Sequence, residues 1–113
     1  MSQITSHVLD TNHGCPAKGI DVSVYKFHKE GWDKIGSDTT NQDGRTPNLL
    51  NEGVTLEGGI YRVHFATLGY FEHLDIPCFY PYVDIVFSIA NSDDHYHIPL
   101  LLSPFGYTTY RGS

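Results

Sequence analysis

His95 and His97 stand two residues apart in HYHIPLLLS, residues 95–103, a run that reads as a β-strand. Side chains two apart on a strand point to the same face. A third histidine, His7, lies in ITSHVLD, residues 4–10, and Arg45 follows Asp43-Gly44, a favoured tight-turn dipeptide. A histidine–histidine–arginine group could carry out hydrolysis. A neutral imidazole takes a proton from water, and a guanidinium holds negative charge developing on oxygen. The arginine would also depress a neighbouring histidine's pKa and keep it neutral near pH 7. Each residue has a plainer reading. A strand histidine is commonly a surface or hydrogen-bonded structural residue, and an arginine beside a turn is commonly a solvated charge. His13, His28, His64 and His73 have no companion signal and read as structural.

A metal reading competes on the same residues. His95, His97 and His7 could bind zinc through three imidazoles and leave a position for water. Carboxylates that would orient such ligands are not assignable, although Asp93 and Asp94 are near in sequence. Other chemistries find little support. The chain has no GxSxG nucleophile elbow and no phosphate-cradling GxxxxGK(S/T). Cys15 and Cys78 form no CxxC pair; they read as reduced, buried residues, and nothing demands a disulfide between them.

The elements that must position these residues have period two. Strands are expected over 4–10, 20–28, 32–40, 59–66, 82–90, 95–103 and 105–112, with a short one near 54–58. Residues 12–19 read as a Gly/Pro-rich connection, 29–31 and 41–48 as turns, and 91–94 as a turn. In TLGYFEHLD, residues 67–75, Leu68, Phe71 and Leu74 recur at three-residue spacing, which predicts one short helix held by packing. Seven or eight short strands with one helix make an all-β fold, an antiparallel two-sheet β-sandwich with Greek-key connections. At 113 residues the chain is expected to form a single domain over 1–113. The last strand, rich in tyrosine, is poorly defended as a sheet edge, so symmetric pairing with a second copy is expected.

Composition sets outer limits. Hydrophobic residues make up 40% and charged residues 18%, an ordinary globular balance. The formal net charge of −6 disfavours nucleic acid, which requires a positive surface, and gives no attraction to an anionic membrane. MSQITSHVLD lacks a basic n-region with a long apolar run, no stretch approaches 18 apolar residues, and the ending is not of the SKL type. A cytoplasmic location is the expectation.

Three stretches, SHVLDTNHGCPA (6–17), NQDGR (41–45) and HYHIPLLLSPFGYTTYRGS (95–113), closely resemble the 5-hydroxyisourate hydrolase family, the transthyretin-related proteins. GIYRVHFATLGYF (59–71) and FYPYVDIVFSI (79–89) are similar to that family's strand–helix–strand segment, so the likeness runs through nearly the whole chain in order. The ending YRGS is the feature that separates the enzymes from transthyretin, the hormone carrier of the same fold. Two departures are small. Thr108 stands where the family often has serine, which keeps the hydroxyl, and NHGCPA differs from commoner forms of that loop.

The resemblance implies hydrolysis of 5-hydroxyisourate, the product of urate oxidation, to 2-oxo-4-hydroxy-4-carboxy-5-ureidoimidazoline, without a cofactor or metal. It implies His7, Arg45 and His97 as catalytic residues, with His7 and Arg45 also contacting substrate together with Tyr110 and Ser113. His95 and Arg111 are secondary candidates. It leaves open whether His7 or His97 is the general base. It also implies a homotetramer, a dimer of dimers, with sites in a channel between dimers. The expected partners are thus a small-molecule substrate and further copies of the chain, with no nucleic acid and no membrane.

Overall fold

The computed structural model of the chain describes residues 2–90 and 94–113. Among these residues eight strands form two four-stranded sheets, with one short helix between the fifth and sixth strands. The strands are β1 Ile4–Asp10, β2 Cys15–Pro16, β3 Asp21–His28, β4 Gly31–Thr39, β5 Gly59–Phe65, β6 Val83–Ile89, β7 Tyr96–Ser103 and β8 Gly106–Thr109; the helix, α1, is Leu68–His73. One sheet has the order β2-β1-β7-β8 and the other β4-β3-β5-β6.

Alternation builds the core. On β5, Tyr61, Val63 and Phe65 are fully buried, while Arg62 and His64 turn outward to meet Asp84 of β6. On β3, Val22 and Val24 face the same interior, as do Ile4 and Val8 of β1 and Leu100 of β7. Each such side chain, removed from water, is worth about 1.5–3 kcal/mol. The opposite faces of β1 and β7 carry His7 and His97, half-buried, with Thr5 and Pro99 buried between them.

The expected sandwich is present, with instructive differences. Most pairs are antiparallel, but β1 and β7 run parallel, Ile4 opposite Tyr96 through Asp10 opposite Leu102. A parallel neighbour requires a crossover, and here the whole second sheet and α1 supply it. No strand forms near 54–58. There the Leu56 N–H donates to the Gln3 side chain (2.8 Å) and Leu56 is buried, so the segment plugs the core instead of joining a ladder. The connection over 12–19 contains the two-residue β2. Cys15 lies on it and is exposed rather than buried, because β2 is an edge with both residues toward solvent; Cys15 and Cys78 are free thiols. The last strand is shorter than expected, but Gly112 still bridges to His97. Most of the turn read over 91–94 lies outside the described residues. Among the described residues, no helix is long and apolar enough to cross a membrane.

The helix buries Phe71 alone, leaving Leu68 and Leu74 about two-fifths exposed. The three-residue spacing is real, but so short a helix covers the sandwich with a single turn. It stops where Asp75 adopts a left-handed φ of 57° and the Ile76 N–H returns to the Phe71 carbonyl. The helix has a second anchor. The Tyr70 hydroxyl donates to the fully buried Asp10 carboxylate at 2.6 Å, and His13 reaches the same carboxylate through its backbone N–H (2.9 Å) and ring Nδ1 (2.8 Å). Burial would raise the Asp10 pKa, but these hydrogen bonds outweigh it and hold the carboxyl below its usual range. A carboxylate depressed by folding stabilises the protein above its unfolded-state pKa, and that stability is lost as pH falls through the folded value. Asp10→Asn should therefore cost roughly 2–4 kcal/mol at neutral pH in urea unfolding. The variant should also show a flatter decline of stability below the ordinary carboxylate range than the parent.

Candidate active site

The arginine turn is built by Asn41. Its side-chain oxygen accepts the N–H groups of Asp43 (2.9 Å) and Arg45 (3.0 Å), while its backbone pairs with Gly44 and Arg45. Gly44 has a left-handed φ of 73°, and a Cβ there would meet the Val8 carbonyl at 2.5 Å. Glycine is thus required twice over, for conformation and for close approach. The turn is fastened to β1 by Val8 N–H to the Gly44 carbonyl (2.8 Å) and Thr46 N–H to the Ser6 carbonyl (3.2 Å). The fully buried Ser6 and Thr46 hydroxyls lie 2.8 Å apart beneath it. The result sets Arg45 beside His7 as an isolated antiparallel bridge.

The histidines come from β1 and from β7 with its approach. Parallel register places Thr5 opposite His97 and His7 opposite Pro99, so the outward side chains of both strands share one face. The His7 and His97 rings stack with centroids 6.5 Å apart and a 28° interplanar angle; those of His95 and His97 are 6.4 Å apart at 24°. The C-terminal segment returns alongside β7, with the Gly112 N–H donating to the His97 carbonyl at 2.9 Å. A Cβ on Gly112 would lie 2.6 Å from the His97 ring, so only glycine lets the segment pass this close.

A cavity of about 200 Å³ opens here, lined by Arg45, His95, His97 and Ser113 together with Thr5 and Thr46, among others. Burial lowers the His97 pKa, and the Arg45 charge and the neighbouring His95 and His7 lower it further. Burial and Arg45 also lower His7, against an opposing backbone hydrogen bond and charge at Asp43. Both imidazoles are consequently held neutral, and so able to accept a proton, below the pH at which an ordinary histidine charges.

The other sequence candidates fall elsewhere. Tyr110, 57% exposed, and Arg111 line a separate cavity of about 140 Å³ with Ile85, Phe87 and Tyr96. Arg111 sits over the Tyr96 ring at 4.7 Å and 3.8 Å from the Asp94 carboxylate, which makes it an anchor of the terminal segment. Asp94 therefore faces Arg111 rather than a histidine, and Asp93 lies outside the described residues. His97 Nδ1 and His95 Nε2 both turn to the Thr5 hydroxyl, and among the described residues no three potential ligands are grouped to hold a metal ion. Sequence reasoning missed Thr5 and Gly112. Thr5 had a signal, since it stands two before His7 and so shares its face; Gly112 lies in the YRGS ending, but the reason for glycine there, a tertiary contact with His97, has no counterpart in spacing.

The chain is similar to known proteins over nearly its whole length. The model of the HIUase/Transthyretin family matches residues 4–112. A probable 5-hydroxyisourate hydrolase of Caenorhabditis elegans is 44% identical over 112 residues, which is 99% of this chain and 82% of that protein. The solved Klebsiella pneumoniae 5-hydroxyisourate hydrolase superposes with a TM-score of 0.84 at 32% identity, covering 97% of this chain and 98% of that one. Sea bream transthyretin in complex with thyroxine gives 0.90 at 31% identity, covering 98% and 95%. The backbone thus matches a hydrolase and a thyroxine-binding protein about equally well, and the side chains on the shared face must separate the two. By the match over nearly its full length, the chain belongs to the HIUase/Transthyretin family.

Proposed function

We propose that the protein is a cofactor-free hydrolase that converts 5-hydroxyisourate to 2-oxo-4-hydroxy-4-carboxy-5-ureidoimidazoline. The observation that carries this reading is the meeting of Arg45, His97 and Ser113 on one cavity, with His7 stacked beside His97. A thyroxine-type carrier, the second reading of the fold, gains little from desolvating two imidazoles and a guanidinium.

The chemistry follows from the residue types. His97 accepts a proton from water as the oxygen attacks a ring carbonyl carbon. Arg45 donates hydrogen bonds to the carbonyl oxygen as it becomes the tetrahedral oxyanion. Collapse of that intermediate breaks the ring C–N bond, and the proton held on imidazole passes to the leaving nitrogen. One water is consumed and a carboxyl group is formed. His97 is favoured over His7 as base because it lines the cavity, while His7 orients the ring or serves the leaving nitrogen. Ser113 contributes hydrogen-bonding groups at the cavity wall. Tyr110 is exposed and turned to a second cavity, so its contact with substrate belongs to an assembled form. That assembly is a homotetramer, a dimer of dimers, in which the open face of β1 and β7 is covered by another copy. The sheet edges at β6 and β8, which have no further strand beside them among the described residues, support pairing between copies.

Freshly generated 5-hydroxyisourate should lose its ultraviolet absorbance much faster with the protein than without, and exhaustive chelation should leave that rate unchanged. His97→Ala should lower kcat about 10²–10⁴-fold and Arg45→Ala about 10²–10³-fold, with His7→Ala also losing most of the acceleration; unchanged turnover in all three would remove the assignment. The pH dependence has a definite sign. The free-enzyme profile of kcat/KM should stay level from neutral pH downward and fall with a midpoint under about 6.5, the ordinary histidine value. In an NMR titration, Arg45→Gln should raise the His97 midpoint, because a positive neighbour has been taken away.

A further inference from the structure

We propose that Thr5 is a positioning residue for His97: its hydroxyl accepts the His97 Nδ1 proton, donates its own to His95, and so leaves His97 Nε2 as the base. The kinetic part rests on the hydrolase reading above; the protonation part does not. Thr5 Oγ1 lies 2.8 Å from His97 Nδ1 and 3.0 Å from His95 Nε2. Thr5 is 8% exposed and stands directly opposite His97 in the parallel β1–β7 register, so its placement is set by the sheet.

A threonine hydroxyl has one proton and two lone pairs. It cannot donate to both rings, so at least one ring must donate to it. If both rings donate to its two lone pairs, His97 Nε2 is left as the acceptor; if its own proton goes to one ring, two directions are available. In the first, His97 Nδ1–H donates to Thr5 and Thr5 O–H donates to His95 Nε2, leaving a lone pair on His97 Nε2. In the second, the chain reverses, His97 Nε2 carries the proton, and that nitrogen cannot act as a base. Arg45 selects the first. Its guanidinium shares the cavity, is positively charged and only donates, so the nitrogen not held by Thr5 is better presented as an acceptor than as an N–H. His95 is exposed and adapts its tautomer at little cost.

The first direction also serves the reaction. When Nε2 takes a proton from water, the imidazolium already has Nδ1–H donating to Thr5, and that hydrogen bond becomes charge-assisted as the transition state forms. Thr5 thus favours the charged ring, against burial first and then Arg45, His95 and His7, which all disfavour it. Its removal should show mainly in kcat.

The test is imidazole ¹⁵N NMR on the full chain, with kinetics on 5-hydroxyisourate for the parent, Thr5→Val and Thr5→Ser. In the parent, His97 should carry its proton on Nδ1. Thr5→Val should release the tautomer, lower the His97 midpoint further and reduce kcat by about tenfold or more with KM little changed; Thr5→Ser should restore all three. The proposal is overturned if parent His97 is protonated on Nε2, or if folded Thr5→Val raises the His97 midpoint or leaves tautomer, midpoint and kcat unchanged. Should Thr5→Val fail to fold, the parent tautomer still decides. A parent with no turnover would refute the hydrolase reading, while the NMR result would still decide the role of Thr5.

Discussion

The parallel pairing of β1 with β7 is the constraint on which the site depends. It joins residues about ninety positions apart in a fixed register, Thr5 opposite His97 and His7 opposite Pro99. Because side chains alternate, that register decides that the imidazoles and Thr5 face outward together while Ile4, Val8 and Leu100 go to the core. A slip of one residue would send the histidines inward and the apolar set to water. The packing that stabilises the sandwich is therefore also what aims the polar groups.

Two further segments complete the site by lying against this pair. The Asn41–Arg45 turn is folded by its own asparagine and then fastened to β1 through Gly44, which turns a surface arginine into a wall of the cavity. The end of the chain runs along β7 from the other side, held by Arg111 on Tyr96 and by Gly112 against His97. Both contacts require glycine at the point of closest approach, since a Cβ would strike Val8 in one case and the His97 ring in the other.

Much of this was legible beforehand because it follows from local rules. Period-two alternation found the seven main strands, Asp43-Gly44 found the turn, and the three-residue spacing found the helix around Phe71. The same rules could not show that β1 and β7 are parallel, because strand direction depends on crossovers between distant segments. Nor could they place Leu56 as a plug or Cys15 on an exposed edge, since each depends on which neighbour is present to pair with. At the site, His95, His97 and Arg45 were found as residue types with suitable spacing, and Ser113 by family likeness. The separation of Tyr110 and Arg111 into a second cavity, and the Thr5 bridge between two rings, are tertiary facts with no counterpart in spacing.

If the pairing assembles one catalytic unit, His97 and Arg45 act on the same transition state and their losses must not add. The direct measurement is a double-mutant cycle on 5-hydroxyisourate hydrolysis with His97→Ala, Arg45→Ala and the double variant. The double variant should be little slower than the slower single one, as for groups that work together. Losses in kcat/KM that multiply across the two changes would mean that the residues act independently, and would contradict a single catalytic unit.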